Sequence, residues 1–161
     1  MLIRPITEAD APAVWSIIEP IIRAGEEYAL DRDMSEADAL AYWIASDRET
    51  FVAEVDGEVL GSYYIRPNQA GGGRHVANCG YAVAAAARGR GIARGMCAHS
   101  LSHARERGYR AMQFNFVVAT NVRAVGLWAS MGFETLTRLP GAFMHPAAGE
   151  VDALVMFQRL D

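Results

Sequence analysis

The residues best suited to chemistry lie between Tyr81 and Ala93, where an apolar run passes into Arg88-Gly89-Arg90-Gly91-Ile92-Ala93. A strand that ends in a turn rich in glycine and arginine, and opens at once into a helix, is suited to binding an anion. Glycine lets the backbone take positive φ and approach a ligand closely. The first amides of the helix point outward with the dipole behind them. Arg88 and Arg90 add positive charge without altering that cradle. The expected ligand is a diphosphate. Spacing excludes two common kinds: a dinucleotide GxGxxG fails because Gly89 and Gly91 are followed by Gly95, one residue late, and the Gly-Lys-Ser/Thr of a P-loop is missing.

Other reactive side chains form no constellation of their own. His75, His99, His103 and His145 make no HExxH pair. His99 and His103 lie four apart on an expected helix but have no third ligand, so a polar helix face is the better reading and no metal is expected. Cys79 and Cys97 belong to no CxxC pair and are expected as reduced, partly buried thiols. Glu26 and Glu27 sit in a polar stretch, Ala24 to Met34, that reads as a solvated connection or as a wall meeting a cationic substrate. Tyr63 and Tyr64 are neighbours on an expected strand, so only one can look into a cleft. Glu54 reads as hairpin surface, and Trp15 and Trp43 as packing.

Positioning the turn requires a particular order of elements. Leu2 to Ile6 reads as a strand, and Thr7 caps a helix whose core face is Val14, Ile17, Ile18, Ile21 and Ile22. Pro20 predicts a kink or an early stop there. Ser35 with Asp38 caps a second helix reaching about Ala45. Thr50 to Val55 and Glu58 to Ile65 are strands joined by Asp56-Gly57, a two-residue hairpin turn. Pro67 to Arg74, with three consecutive glycines, reads as a flexible linker rather than a phosphate nest. His75 to Val83 is a strand, Gly91 to Arg107 a helix closed by Gly108, and Arg110 to Val118 an apolar strand. A helix from Asn121 to Met131 and strands over Phe133 to Leu139 and Val151 to Leu160 complete the chain, leaving Leu139 to Gly149 as a loop that could cap the site. The β-α-β unit inside flanking hairpins predicts an α+β (α/β) fold with a mixed sheet and helices on both faces.

The 161 residues fit one domain, since single cores usually serve about 100–200 residues. A net charge of -4 argues against a nucleic-acid partner, which calls for a clustered basic face. No window approaches the ~20 apolar residues of a membrane helix, so the protein is expected in the cytoplasm with no membrane partner.

Arg88-x-x-Gly91-x-Ala93 behind an apolar strand resembles the RxxGxG/A signature of the Gcn5-related N-acetyltransferase (GNAT) superfamily. Asn121-x-x-Ala124-x-x-Leu127-Trp128-x-x-Met131-Gly132-Phe133 is similar to that superfamily's NxxAxxLYxxxGF segment, and Ile3-Arg4-Pro5-Ile6 with Asp10 to its opening. The resemblance covers nearly the whole chain. It implies a twisted, mostly antiparallel sheet of about six or seven strands with a splayed central parallel pair ending near Val83 and Val118. It implies acetyl-CoA as acyl donor, with pyrophosphate on the amides of Arg88 to Ala93, pantetheine along the strand at Val83, and Asn121 bonding the cofactor arm or serving as a plain helix cap. Direct attack by a neutral amine on the thioester follows from the same resemblance. Trp128 departs from the pattern: it stands where many relatives carry a tyrosine thought to protonate the leaving thiolate, and an indole N–H is a donor that does not serve as an acid.

Phe114-Asn115-Phe116-Val117-Val118, Thr120-Asn121, Leu127-Trp128 and Leu139-Pro140 also resemble the yeast-type proline-analogue (azetidine-2-carboxylate) N-acetyltransferases. That implies Asn78 and Asn115 as catalytic residues, Asn78 orienting the acceptor's carboxylate or amine and Asn115 facing the acetyl group, with Tyr81 lining the pocket. An asparagine inside an apolar strand is otherwise costly unless a bulge or neighbour satisfies it. The expected partner is a small-molecule amine, which this resemblance implies is an amino acid or proline analogue, and a homodimer is consistent with relatives that pair. Two alternatives stay open: an acetyltransferase of protein N-termini or lysines, and a CoA-binding sensor without catalysis.

Overall fold

A computed structural model describes residues 1–161. Strands β1 (Leu2–Pro5), β2 (Glu49–Val55), β3 (Glu58–Pro67), β4 (Val76–Val83), β5 (Ala111–Val118), β6 (Glu134–His145) and β7 (Gly149–Arg159) form a seven-stranded sheet in the order β1-β2-β3-β4-β5-β7-β6. Every neighbouring pair is antiparallel except β4–β5. Asp56 and Gly57 both take positive φ, as the β2–β3 hairpin turn demands.

Strand alternation sorts side chains onto two faces, and each face has its own core. Helices α1 (Ala11–Ala24) and α2 (Glu36–Trp43) cover one face, packing Val14, Ile17, Ile18, Ile21, Ile22 and Trp43 on Val52, Tyr64 and Ala82. Helices α3 (Ile92–Glu106) and α4 (Val122–Ser130) cover the other, over Phe51, Tyr63, Ile65, Met112 and Phe114. Each fully buried isoleucine of α1 contributes roughly 1.5–3 kcal/mol of transfer free energy. That stripe explains why α1 runs on through Pro20 to Ala24. Pro20 is exposed, so the carbonyl it leaves without a donor faces water, while buried residues on both sides hold the helix to the sheet.

The expected loop over Leu139–Gly149 is instead the outer half of a long β6–β7 hairpin. Pro140-Gly141 broke the strand pattern in the sequence. The chain absorbs the pair as a bulge, with the register slipping between Leu139 and Phe143 and Gly141 N–H held by Asp152. Gly71–Gly73 forms a single 3₁₀ turn. No helix is long and apolar enough to cross a membrane.

Candidate active site

The parallel ladder between β4 and β5 covers only Val76–Ala111 and Ala77–Met112, and then the strands part. Two features open them. The register of β5 against β7 slips between Phe114 and Val117, a bulge that bends β5 away from β4. At the fork, Asn78 Nδ2 donates to Gln113 O at 3.0 Å, so a side chain replaces the next rung. On the β3 side, Ala84 N–H reaches Leu60 O and Asn68 N–H reaches Val76 O, so even-numbered residues of β4 serve that ladder. By alternation, Cys79, Tyr81 and Val83 turn their main-chain groups into the gap.

Tyr28, in the α1–α2 connection, fills the middle of it. Its hydroxyl donates to Tyr81 O at 2.7 Å and accepts from Tyr81 N–H at 2.8 Å. The Tyr81 ring lies under the sheet, 4.9 Å from Trp128 and with its hydroxyl on Ser100 Oγ at 2.7 Å. Tyr81 therefore meets the cleft through its main chain and ring, not through a free hydroxyl.

Immediately beyond β4, a 3₁₀ turn over Ala85–Ala87 leads into Gly89 and Gly91, at φ 82° and 80°. Arg88 N–H and Arg90 N–H are used within the turn, bonding Ala85 O and Ala87 O. The amides of Gly89, Gly91, Ile92, Ala93 and Arg94 have no acceptor in the protein, and no side chain caps α3. A Cβ on Gly89 or Gly91 would meet nothing within 4 Å. The open, uncapped helix start fits a diphosphate. Arg88 pairs with Glu27 at 3.2 Å, and Arg94 reaches Ser130 Oγ at 2.8 Å.

The turn and the gap belong to one cleft of about 840 Å³. It brings together Val83, Arg88, Gly89, Gly91, Ile92, Ala93 and Asn121 with Asn78, Tyr81 and Asn115. Arg90 alone of these sequence-derived candidates does not line it; its side chain is exposed beside the turn. Asn121 caps α4 by accepting from Ala124 N–H at 3.2 Å and also lines the cleft. Asn115 sits in the β5 bulge and is exposed, donating to Asn68 Oδ1 at 2.7 Å and accepting from Gln113 Nε2 at 2.9 Å. Its polarity is thus satisfied at the surface of the gap rather than buried in the strand.

The sequence left other lining residues unmarked: Tyr28, Tyr42, Arg66, Arg94 and Arg123. Helical spacing signals Arg94 and Arg123, which follow Gly91 and Asn121 within the first turns of their helices. Tyr28 had no signal, since it sits in a polar connection. Of Tyr63 and Tyr64, Tyr64 faces the cleft, crossing over Gly80, where a Cβ would come within 2.6 Å of its ring. Tyr63 turns to α3 and meets His99 Nδ1 at 2.7 Å. His103 bonds Glu49. Glu54 pairs with Arg4 at 3.0 Å. Both thiols are buried and free, and burial pushes Cys97 up to about 12 and Cys79 higher still.

Burial also raises the hydroxyls of Tyr28, Tyr64 and Tyr81 above their ordinary range, so none is a base near neutrality. No histidine lines the cleft, and its one carboxylate, Glu27, is held by Arg88. The arrangement can grip a diphosphate at one end, pair an extended amide chain along β4, and receive a small polar molecule at the α1–α2 face.

Comparison with known proteins agrees with this geometry. Residues 14–133 match the acetyltransferase (GNAT) family. A Gcn5-related N-acetyltransferase from Kribbella flavida superposes with a TM-score of 0.94 at 41% identity, covering 98% of this chain and 96% of that one. The N-acetyltransferase aca1 of Schizosaccharomyces pombe is 34% identical over 89 residues, which is 55% of this chain but only 43% of the yeast protein's length. The fold is shared with yncA of Salmonella typhimurium, a putative acetyltransferase solved with its cofactor acetyl-CoA, at a TM-score of 0.88 and 23% identity over 100% of this chain and 94% of that one. On the family match and the full-length structural relative, the chain belongs to the acetyltransferase (GNAT) family of enzymes.

Proposed function

We propose that residues 1–161 act as one N-acetyltransferase domain that moves the acetyl group of acetyl-CoA to the amine of a small molecule. The observation that carries this reading is the continuity, in one cleft, of the free amides where α3 begins and the edge of β4 that has no strand partner beyond Ala77.

Acetyl-CoA, when bound, supplies an activated acyl carbon; the protein's residues hold and orient it. The main-chain N–H groups of Gly89, Gly91, Ile92 and Ala93 take the diphosphate, with Arg88 and Arg90 supplying charge. The main chain of Val83 pairs the extended arm, and Asn121 adds a side-chain contact from α4 while capping it. Tyr81 N–H is a donor for an acyl oxygen once Tyr28 yields it. Asn78 and Asn115 flank the fork from the two strands and orient the acceptor, with Tyr81 forming the floor.

No imidazole or free carboxylate lines the acceptor end, so the amine must arrive neutral. An α-amine with a pKa of about 7.7–8.0 meets that condition near neutral pH. The rate is then expected to climb with pH until the acceptor is fully deprotonated, without a descending limb from an enzyme acid.

The test is release of free CoA from acetyl-CoA against a panel of small amines, beside an array of peptide N-termini and lysines. Turnover confined to small amines supports the reading, and turnover confined to peptides replaces it. Tight CoA binding with no transfer to either would make the protein a sensor, the role that Trp128 favours.

A further inference from the structure

Residues 25–34, between α1 and α2, form neither helix nor strand. The base of this strap is clamped. Gly25 ends α1 at φ 67°, and the Arg32 side chain lies where a Cβ on it would be. Arg32 Nε donates to Arg23 O at 2.8 Å, and Arg23 Nη1 donates to Met34 O at 2.9 Å.

The tip is held differently. Residues 26–30 make no main-chain hydrogen bond. Their side chains make three: the Tyr28 hydroxyl with Tyr81 O and Tyr81 N–H, and Glu27 Oε1 with Arg88. Those partners are the groups an acetyl donor needs. On the reading above, Tyr81 N–H receives the acyl oxygen, Tyr81 O lies on the edge that pairs the extended arm, and Arg88 supplies charge to the diphosphate.

Both uses cannot hold at once. A backbone amide carries one hydrogen, and Tyr28 takes it at 2.8 Å. The Glu27 carboxylate engages Arg88 as a phosphate oxygen would, and sets a negative charge beside the cradle. Two consecutive side chains thus stand in for the two ends of the donor, a hydroxyl for its carbonyl and a carboxylate for its phosphates. The strap also has room to yield. A cavity of about 230 Å³ lies between it and the turn after β4, lined by Glu26, Glu27, Val83, Ala85 and Arg88.

We propose that Glu27 and Tyr28 are a built-in competitor for acetyl-CoA: the strap closes the cleft of the free protein, and the donor binds by displacing its tip from Tyr81 and Arg88. The inference rests on the acetyl-CoA reading above and adds what sets the donor's affinity. Only the fraction of molecules with the strap open is competent to bind, so the measured dissociation constant exceeds the intrinsic one by that fraction.

The test is calorimetry on wild type, Tyr28→Phe and Glu27→Gln with two probes, acetyl-CoA and 3′-phospho-ADP, which carries the diphosphate and lacks the arm. Tyr28→Phe removes two hydrogen bonds from the closed state alone, so acetyl-CoA should bind about 5- to 30-fold more tightly. Its affinity for 3′-phospho-ADP should stay within about twofold of wild type, because that fragment does not reach Tyr81. Glu27→Gln should tighten both probes by about 2- to 5-fold, the scale of a half-exposed ion pair. Melting gives a second readout: Tyr28→Phe melts below wild type when free, and the difference closes at saturating acetyl-CoA.

Unchanged or weaker acetyl-CoA binding by Tyr28→Phe overturns the inference and leaves the acetyl-CoA reading intact. Equal tightening of both probes by that variant also overturns it, since Tyr28 would then not be competing at the acyl end. If Tyr28→Phe does not fold, Glu27→Gln decides: tightening of both probes supports the strap, and unchanged affinity overturns it. Failure of wild type and both variants to bind either probe removes the acetyl-CoA reading itself.

Discussion

Single residues decide whether the cleft can hold its ligands. Gly91 stands at φ 80° with open space where a Cβ would be. Aspartate adopts that conformation at a cost of about 1–2 kcal/mol, so Gly91→Asp should fold with a melting temperature lowered by a few degrees. Its carboxylate would occupy the diphosphate cradle, and CoA affinity by calorimetry should fall about 100-fold or more, the scale of opposing a charged ligand in a shielded site. Asn115→Ala should behave differently: acceptor kcat/KM falls roughly 10-fold while the CoA dissociation constant stays within about twofold, the pattern of an interaction made near the transition state. Equal losses in both would contradict its place at the reacting end. The glycines, Arg88 and Asn121 were legible in the sequence because the spacing of a turn and a cap is local. Tyr28 was not, because its importance comes from a partner 53 residues away in the chain.

Individual elements show how far local pattern predicts structure and where packing overrides it. The order of strands and helices follows the sequence pattern closely, since hydrophobic period and capping residues are local signals. Pro20 and Pro140-Gly141 mislead for one reason: each is a break that a neighbouring surface holds in place. The α1–α2 connection is the converse, a polar stretch whose Tyr28 anchors it to the middle of β4. Tyr28→Phe removes two hydrogen bonds and should cost about 1–2 kcal/mol, read as a lower urea midpoint at unchanged slope. The start of α1 is tied to β1 by Asp10, which accepts from Arg4 through both oxygens at 2.8 Å and from Thr7 N–H and Oγ1. These bonds, Arg4's first, hold the Asp10 carboxyl well below the usual carboxylate range. The folded chain therefore binds this proton more weakly than the unfolded chain. Asp10 supports folding above its ordinary value near 3.9 and loses that support as pH falls below it. Asp10→Asn should lower the melting temperature at pH 7 and flatten the decline seen in wild type below about pH 4.

At the scale of the whole molecule, the sheet divides into β1–β4 and β5–β7, joined main chain to main chain by the pairs Val76–Ala111 and Ala77–Met112. A ligand that bonds both sides should stabilise the protein by mass action, about 2.7 kcal/mol at a hundred times its dissociation constant. For a chain of this size that is a rise of roughly 5–10 °C in melting temperature. Amide exchange should slow at Cys79–Val83 and at the start of α3 when CoA is added, and an unchanged exchange map there would place the ligand elsewhere.

Two leaves of β-sheet bound along so short a spine leave the angle at which they stand open to be set by side chains rather than by a ladder. On the α3–α4 side one core spans both leaves and sets that angle, with Tyr63, Ile65 and Cys79 of one packed together with Met112, Phe114 and Met156 of the other. Asn115 and Phe116, in the bulge and outside that core, can be substituted to widen or narrow the mouth for a bulkier or slimmer guest at small cost to stability. The cradle at the head of α3 lies outside the opening and stays as it is. Such a build lets one side of the reaction diversify while the other is kept.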